Sequence, residues 1–376
     1  MKDSIYLDYA ATTPLDPQVL EVMQPYLNES WGNPSSAHSR GREARLAIDS
    51  GRQSIADSLN VKPQEVIFTA SGSEANSLAL FGVCEKWMDT KGSPGHVAVL
   101  SIEHHCSLKA IDRLKKFGWN VSLIPVDDEG ILRSSSLESI LQDDTAIVSV
   151  QWANNEVGTI QPIEEVALLC KQRGVFFHTD AVQPIGQLAI PELPDLTSIA
   201  AHKFYGPKGM GALIVRDHIE IAPQILGGGQ EFDIRAGTEN TPGIVGMAKA
   251  LELAIEHQPD EQTRLTALRD EFIQQLTELP NVTLNGHELK RLPNNVNVRF
   301  GGNKGETIVI QLDMQGICAA TGSACATGSS EPSHVLEAMG RSKAATSENV
   351  RFSLGRSTTK EDLDTVVDTL KNITSQ

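Results

Sequence analysis

The stretch VIFTASGSEANSLALFGVCEKWM, residues 66–88, decides the fold. It starts with an apolar β-branched run, turns through small residues that include Gly72 and Ser73, and continues with the apolar spacing of a helix. This order predicts a buried strand, a tight turn and a helix. Backbone N–H groups at the start of such a helix, together with the Ser73 hydroxyl, can face an anion. Taken alone, an ordinary helix cap is the simpler interpretation of this turn.

Four more apolar, β-branched runs follow along the first two thirds of the chain. They are HVAVLS (96–101), AIVSVQW (146–152), VFFHTD (175–180) and GALIV (211–215). Segments with helical spacing lie between the strand runs, among them residues 74–88, 107–117 and 163–173. Strands that alternate with helices predict a mostly parallel sheet with right-handed crossovers. Ligands of such a sheet bind beyond the carboxyl ends of its strands.

The last third of the chain predicts a second, smaller α+β unit. A long helical stretch over residues 245–279, interrupted at Pro259, would lead into this unit. The segments NVTLNG, NNVNVRF, ETIVIQLDMQGI and VRFSLG then have the composition of strands. A helical pattern over residues 360–373 closes the chain.

The composition excludes several classes of protein. Hydrophobic residues make up 40% and charged residues 21% of the 376 positions, which is typical of a soluble globular fold. The formal net charge of −16 would repel polyphosphate chains, so we expect no direct contact with nucleic acid. No run of about 18 apolar residues and no leader-like start occurs, which favours a cytoplasmic protein without membrane segments. The five cysteines are an odd set without a CxxC pair, which argues against a disulfide framework and a metal site.

Two charged residues stand at positions where apolar surroundings are expected. Asp180 ends a strongly apolar strand, and a buried carboxylate there requires a cation. A protonated pyridine nitrogen would serve, as would an ordinary arginine or lysine. Lys203 lies between a histidine and an aromatic residue, ahead of a Gly-rich turn. Loss of water there would free the amine lone pair for a Schiff base, whereas a surface lysine is the alternative.

A histidine pair and a cysteine complete the candidates. EHH, residues 103–105, follows a predicted strand, and one of its histidines could stack on a planar ring or move protons. Two hydrogen-bonded structural histidines are the alternative. Cys325 is isolated among Gly, Ser and Ala, which predicts an exposed loop with a reactive thiol. A small residue in a tight turn would have the same surroundings.

In order and spacing, ten sequence blocks resemble those of the cysteine desulfurases, in particular the iron–sulfur-assembly and nitrogenase-type enzymes. The blocks span nearly the whole chain and are YLDYAATTP, GNPSSAH, SGSEANS, EHH, NNEVGTIQP, HTDAVQ, HKFYGPKG, GGGQEFDIRAGTENTPG, GSACATGSSEPSHVL and RFSLGRSTT. Ten blocks in the right order are far more specific than any single block.

The resemblance implies a fold-type-I pyridoxal-phosphate-dependent transferase. Such a protein is α/β, with a mostly parallel seven-stranded sheet in a large domain and a smaller α+β C-terminal domain. On this basis residues 1–15 form an N-terminal arm associated with the small domain, and residues 16–255 form the large cofactor-binding domain. Residues 256–376 form the small domain with the catalytic cysteine loop. The resemblance also implies a homodimer with active sites at the subunit interface.

The resemblance assigns the site residues as well. Lys203 would form the Schiff base with pyridoxal 5′-phosphate, Cys325 would carry a persulfide, and His104 would stack on the ring and move protons. Asp180 matches the partner of the pyridine nitrogen, and Arg351 matches the arginine that binds the substrate carboxylate. The other matches are Gly72, Ser73 and His202 in the phosphate clamp, Asn155 and Gln183 near the phenolic oxygen and substrate, and Thr238 donated by the other subunit.

The implied reaction takes the sulfur of L-cysteine onto Cys325, leaves L-alanine and passes the sulfur to an acceptor protein, such as an iron–sulfur scaffold or a thiolation enzyme. An aminotransferase, a selenocysteine lyase and a non-catalytic scaffold for sulfur-assembly partners are the alternatives. Cys325 argues against the aminotransferase, because that reaction needs no loop thiol. The presence of Lys203, Asp180 and Cys325 argues against the scaffold.

Two positions depart from the family pattern. The family commonly has a serine two positions before the histidine of its HK pair, and this chain has Ala200 there. One hydroxyl of the phosphate clamp is therefore missing, which predicts weaker retention of the cofactor. Cys106 follows the EHH block, where a residue without a thiol is common. It places a second sulfur near His104.

Overall fold

The structure, a computed structural model, describes residues 4–322 and 332–374. Its strands are β1 (Ile5–Tyr6), β2 (Val66–Thr69), β3 (His96–Leu100), β4 (Asn120–Ile124), β5 (Thr145–Ser149), β6 (Phe176–Asp180), β7 (Leu196–Ala200), β8 (Gly211–Val215), β9 (Val282–Leu284), β10 (Asn295–Phe300), β11 (Ile317–Cys318) and β12 (Asn349–Ser353). Its helices are α1 (Pro17–Asn28), α2 (Ser39–Leu59), α3 (Gly72–Lys91), α4 (His105–Lys116), α5 (Ser134–Ile140), α6 (Ile163–Arg173), α7 (Thr241–Thr277), α8 (Gly305–Asp313), α9 (His334–Ala338), α10 (Lys343–Thr346) and α11 (Lys360–Thr374). Among the helices of this described part, none is both long and apolar enough to cross a membrane.

A seven-stranded sheet forms the centre of the larger unit. Its strand order is β2-β8-β7-β6-β5-β3-β4, and β8 alone runs antiparallel to its neighbours in this sheet. Successive residues of β2 belong to different apolar clusters, with Val66 and Phe68 in one and Ile67 in the other. Both faces of the sheet are therefore covered, which explains why its strands are continuously apolar. The predicted α/β class and mostly parallel seven-stranded sheet are confirmed.

Two strands of this sheet lie outside the apolar runs that predict strands. β4 is an edge strand in which only Ile124 is buried. β7 is wholly buried, although its sequence LTSIA contains two hydroxyl side chains. The Ser198 hydroxyl lies 2.9 Å from His178 Nε2, so it has a hydrogen-bond partner inside the sheet. A buried hydroxyl with a partner is tolerated, but the composition of the segment does not reveal that partner.

The smaller unit contains an antiparallel sheet in the order β12-β10-β9, packed against α8, α11 and the end of α7. The prediction of a strand over ETIVIQLDMQGI is wrong, because this segment forms α8 and then the two-residue strand β11. Ile308 and Leu312, four positions apart, are buried, whereas Ile310 between them is 55% exposed. That spacing is helical, and the β-branched composition concealed it.

Helix α7 is continuous, so the predicted interruption at Pro259 is also wrong. Proline removes one helical hydrogen bond, but packing at both ends of α7 stabilises the helix on either side of it. The first half packs against α1 and α2, and the second half packs against α11 and β9. The boundary between residues 255 and 256 falls inside this helix, and the division into three segments stays a prediction.

The N-terminal segment contacts both units. β1 pairs in parallel with β11, and Asp8 forms a bridge with Ser353 at the end of β12. A few residues later, the backbone N–H of Thr13 donates to the carbonyl oxygen of His202 at 3.0 Å. The segment therefore lies between the small sheet and the turn that carries Lys203.

Candidate active site

A cavity of about 330 Å³ opens beyond the carboxyl ends of β2, β3, β5, β6 and β7. A volume of this size is typical of a small-molecule site. Of the predicted site residues that the structure describes, all but Thr238 line the cavity; they are Gly72, Ser73, His104, Asn155, Asp180, Gln183, His202, Lys203 and Arg351. Most of them follow a strand directly, and parallel strands end at one edge, so the topology gathers residues that are far apart in sequence.

One end of the cavity is suited to an anion. Helix α3 begins there, and the Ser71 side chain accepts the backbone N–H of Glu74, which leaves the earlier N–H groups of the helix for a ligand. A side chain at position 72 would place its Cβ 2.7 Å from Val182 Cγ2, so Gly72 permits this close packing. His202 lines the same cavity, and burial, followed by the charges of Lys203 and Lys208, lowers its pKa to about 4. It is therefore a neutral imidazole that can donate one N–H.

Asp180 is 7% exposed at the end of β6. Its Oδ2 accepts from Asn76 Nδ2 at 2.6 Å, and its Oδ1 accepts the backbone N–H of Val182 at 2.9 Å. Both donors are neutral. The charge of this buried carboxylate is thus supported by hydrogen bonds from described residues but is not compensated by a cation among them.

His104 is the N-cap residue of α4. Its Nδ1 accepts the backbone N–H of Cys106 at 3.2 Å and lies 2.9 Å from Cys106 Sγ. Cys106 also lines the cavity, as its position after the EHH block predicts. The other histidine of the block, His105, packs against His334, with ring centroids 4.4 Å apart.

Lys203 reaches back to the N-terminal segment. Its Nζ donates to the carbonyl oxygen of Ala10 at 2.5 Å and to that of Ala11 at 2.9 Å. Gln183 Nε2 donates to the same Ala10 oxygen at 3.1 Å. These contacts fix the amine at the cavity, whereas Lys208, five positions later, is exposed and outside it.

Arg351 is a buried arginine on β12 that faces the cavity. Its Nη2 forms a salt bridge with Asp8 Oδ1 at 2.8 Å, and its Nη1 donates to the carbonyl oxygen of Asn155 at 2.8 Å. Nε is buried and has no hydrogen-bond partner in the described part of the chain. The guanidinium is therefore held in one orientation with donors to spare.

Sequence reasoning missed two side chains of this site. Asn76 lies four positions after Gly72 on the same face of α3, so helical spacing alone could have identified it. Asp8 belongs to the block YLDYAATTP, but nothing local relates it to Arg351, which is 343 positions away.

One predicted residue that the structure describes is not brought into the cavity. Thr238 is exposed and lies outside it, directly after Gly237, whose φ is +113°. Cys325 lies outside the residues that the structure describes. The four described cysteines, Cys84, Cys106, Cys170 and Cys318, are free thiols.

Comparison with known proteins identifies the family. The class-V aminotransferase family matches residues 5–366, nearly the whole chain. The chain belongs to this family. A relative in Dictyoglomus turgidum, named cysteine desulfurase IscS, is 47% identical to this chain over 377 residues. The alignment covers 99% of this chain and 95% of the relative.

Two solved structures support the same assignment. One, described as a NifS-like protein, is 35% identical, covers 99% of both chains and has a TM-score of 0.92. The other, SspA in complex with cysteine, is 36% identical over 93% of this chain and 99% of its own, with a TM-score of 0.82. The resemblance to the cysteine desulfurases and the fold-type-I architecture are thereby confirmed.

The cofactor of this member of the class-V aminotransferase family is pyridoxal 5′-phosphate, and the residues of the cavity fit it. Asp180 is a buried carboxylate whose oxygens accept from neutral groups, so a cationic ring nitrogen would complete its environment. The start of α3 and the neutral His202 offer N–H donors suited to a phosphate. Lys203 supplies an amine in the same cavity.

Proposed function

We propose that this member of the class-V aminotransferase family is a cysteine desulfurase, which takes the sulfur from L-cysteine and leaves L-alanine. The similarity to cysteine desulfurases over the full chain carries this proposal. The composition of the cavity supports it, because an amine, a buried carboxylate and a buried arginine meet there on Lys203, Asp180 and Arg351.

Asp180 and Lys203 serve the cofactor. When bound, pyridoxal phosphate supplies the electron sink that allows an amino acid to lose its α-proton. The charge of Asp180, oriented by Asn76 and by the Val182 N–H, favours the protonated form of a ring nitrogen placed against it. Lys203 would hold the cofactor through its amine, and the same amine would be placed to move a substrate proton.

The phosphate clamp is formed by Gly72, Ser73 and His202. Ser73 is exposed to the cavity, so its hydroxyl is accessible to a phosphate oxygen. His202 lines the same cavity and can donate one N–H to a phosphate oxygen. Ala200 lines the cavity without a hydroxyl, so the clamp has one donor fewer than is common in the family.

Arg351 binds the carboxylate of the substrate. Its guanidinium is already held by Asp8 and by the Asn155 carbonyl, so little side-chain freedom is lost when a carboxylate arrives. Asn155 and Gln183 line the same cavity, where they would lie near the substrate and the phenolic oxygen of the cofactor. His104 lines the cavity and would stack on the cofactor ring and move protons.

Cys325 receives the sulfur. Its thiolate attacks the sulfur of cysteine, a sulfur–sulfur bond forms, and the carbon–sulfur bond of the substrate breaks. The carbon takes up a proton, so L-cysteine and an enzyme thiol give L-alanine and an enzyme persulfide. No other oxidant or reductant is needed for this step. An acceptor protein, either an iron–sulfur scaffold or a thiolation enzyme, then takes the persulfide sulfur.

The active protein is a homodimer in the cytoplasm. Thr238 lies away from the cavity of its own chain, as expected of a residue donated to the other subunit. Large apolar side chains near it and just after α1 are exposed, including Leu226 (81%) and Trp31 (73%), and a second copy would cover them. Residues 1–15 act as an arm on the small domain (256–376), and residues 16–255 bind the cofactor.

The test is a desulfuration assay. The purified holoenzyme is incubated with L-cysteine, and alanine and sulfide are measured with and without a reductant. We expect stoichiometric alanine and persulfide without reductant, and turnover with it. A yellow protein that forms a keto acid and pyridoxamine phosphate instead would refute the proposal in favour of an aminotransferase.

Two variants locate the chemistry. Cys325→Ser should still bind the cofactor and cysteine but form no persulfide and less than about 1% of the alanine, because the sulfur has no acceptor thiol. Alanine production equal to that of the parent would contradict the role of Cys325. Lys203→Ala is the matched control, since it should lose the visible absorption of the tethered cofactor while keeping Cys325.

A further inference from the structure

Asn76 and Cys106 lie in the cofactor cavity; the proposal above uses Asn76 only as a donor to Asp180 and gives Cys106 no role. Asn76 is 1% exposed and lies on α3. Cys106 is half-buried at the start of α4, two positions after His104. Their side chains meet between Asp180, at the end of β6, and His104, which follows β3.

The contact between Asn76 and Asp180 has a defined direction. Asn76 Nδ2 lies 2.6 Å from Asp180 Oδ2. An ionised carboxylate only accepts hydrogen bonds, so the amide must present its nitrogen, because two oxygens at this distance would repel. The amide oxygen of Asn76 then points away, and it is buried without a partner in the described part of the chain. Removing the Asn76 donor would therefore deprive a buried charge of one of its two hydrogen bonds.

Cys106 continues the chain of hydrogen bonds. Asn76 Nδ2 also donates to Cys106 Sγ at 3.1 Å, and Cys106 Sγ lies 2.9 Å from His104 Nδ1. Nδ1 accepts the backbone N–H of Cys106 as well, so this nitrogen is an acceptor and the thiol donates to it. A neutral His104 therefore carries its proton on Nε2. An alanine at position 106 could neither accept from Asn76 nor donate to His104.

We propose that Asn76 and Cys106 are positioning residues, which join Asp180 and His104 in one hydrogen-bonded unit and fix both side chains toward the cavity. Asn76 orients Asp180 and supports its charge, and the Cys106 thiol restricts the rotation of the His104 ring, whose Nδ1 already accepts the backbone N–H. Because the four groups are connected, a change at one end alters the hydrogen bond at the other. This inference rests on the cofactor of the proposed function but not on desulfuration.

A double-mutant cycle tests the unit. The holoenzyme is compared with Asn76→Leu, Cys106→Ala and the double variant through the dissociation constant of pyridoxal phosphate and the circular dichroism of the bound cofactor. Asn76→Leu should weaken cofactor binding about tenfold, because a hydrogen bond to a charged group is lost. Cys106→Ala should change the dichroism and weaken binding less. The double variant should lose less than the product of the single effects.

Matched variants separate hydrogen bonding from packing. Cys106→Ser should keep the parent values, because a hydroxyl both accepts and donates. Cys84→Ala removes a buried thiol from α3 outside the cavity and should leave cofactor binding and dichroism unchanged. Equal effects of Cys106→Ser and Cys106→Ala, or purely multiplicative effects in the cycle, would overturn the proposal. If Asn76→Leu fails to fold, the comparison of Cys106→Ser with Cys106→Ala still tests the proposal.

The two proposals fail in different ways. If the parent enzyme binds pyridoxal phosphate but releases no alanine from cysteine, the proposed desulfurase activity is refuted. The double-mutant cycle can still be measured, because it depends only on cofactor binding. A cycle without coupling in an enzyme that desulfurates cysteine refutes the unit alone.

Discussion

Asp8 limits how strongly Arg351 attracts a carboxylate. The salt bridge between them is 2.8 Å long, and the Arg351 side chain is only 3% exposed. Two charges this close offset one another, so an incoming carboxylate meets a partly neutralised guanidinium. The same contact holds the guanidinium in place. Asp8 therefore weakens the attraction of Arg351 for a carboxylate and also orients the guanidinium. Mutation of Asp8 can separate these two effects.

Asp8→Asn keeps an acceptor for Arg351 and removes the competing charge. We expect the KM for L-cysteine to fall about fivefold, equivalent to about 1 kcal/mol, with a smaller change in kcat. Steady-state kinetics at low and high salt would measure this. Asp16→Asn is the control, because Asp16 pairs with Arg356 outside the cavity. A higher KM in Asp8→Asn would show that orientation outweighs attraction.

Ala200 offers a gain of affinity at one residue. It is 1% exposed at the end of β7 and lines the cavity near Gly72. Ala200→Ser supplies a donor where the clamp lacks one, and we expect the dissociation constant of pyridoxal phosphate to fall about tenfold. Equilibrium dialysis against the cofactor would measure it. An unchanged constant would mean that Ser73 and His202 already satisfy the phosphate.

At the scale of an element, the turn after β7 joins the two units. Tyr205 follows Lys203 closely and has a φ of +66°, unusual for a bulky residue. Its hydroxyl accepts the backbone N–H of Arg356 at 2.8 Å, and the Arg356 guanidinium lies 4.1 Å from the ring centroid. Arg356 also pairs with Asp16 at 2.9 Å. The strained turn that positions Lys203 is thus held by the small unit.

Tyr205→Phe should lower the free energy of unfolding by about 1 to 2 kcal/mol, because the Arg356 N–H loses its acceptor in a buried place. The Phe ring keeps the contact with the guanidinium. Chemical denaturation would measure the change, with Tyr26→Phe, at a half-buried tyrosine of α1, as the control. An effect no larger than that of the control would mean that the ring alone holds the turn.

At the scale of the whole molecule, buried titratable groups set the pH range of stability. His178 is fully buried between Ser149 and Ser198, and burial lowers its pKa to about 4. Burial, followed by the charge of Asp180, raises the pKa of Glu103 to about 8. At a pH below 6.5, the ordinary pKa of histidine, His178 becomes protonated in the unfolded chain but stays neutral in the folded chain. The free energy of unfolding therefore falls as the pH is lowered toward 4. Glu103 has the opposite effect. At a pH above 4.5, its ordinary pKa, the carboxyl ionises more readily in the unfolded chain, so the free energy of unfolding falls as the pH rises.

Glu103→Gln should therefore remove a loss of stability that grows with pH. Relative to the parent, the variant should gain progressively from about pH 4.5 to 8, reaching about 2 to 3 kcal/mol near neutrality. Denaturation curves at several pH values would give the difference. A difference that stays constant across this range would show that Glu103 ionises in the folded protein as it does in the unfolded chain.

The sequence by itself determined the class of fold and most of the site. Strand–turn–helix segments such as residues 66–88 are local patterns, and they predict a parallel sheet. The sheet in turn gathers Gly72, Asp180 and Lys203, because each follows a strand whose carboxyl end lies at the same edge. Burial of β7 and the helical state of α8 were not predicted, since both depend on partners distant in sequence.

Tertiary structure alone decided which side chains act together. Asp8 meets Arg351 across 343 positions, and Asn76 joins Asp180 to Cys106 across three elements. Local patterns determine where a segment turns or buries a face, because those preferences arise between neighbours in the chain. Hydrogen bonds between side chains depend on separations of a few tenths of an ångström, and only the packing of the whole chain sets those distances.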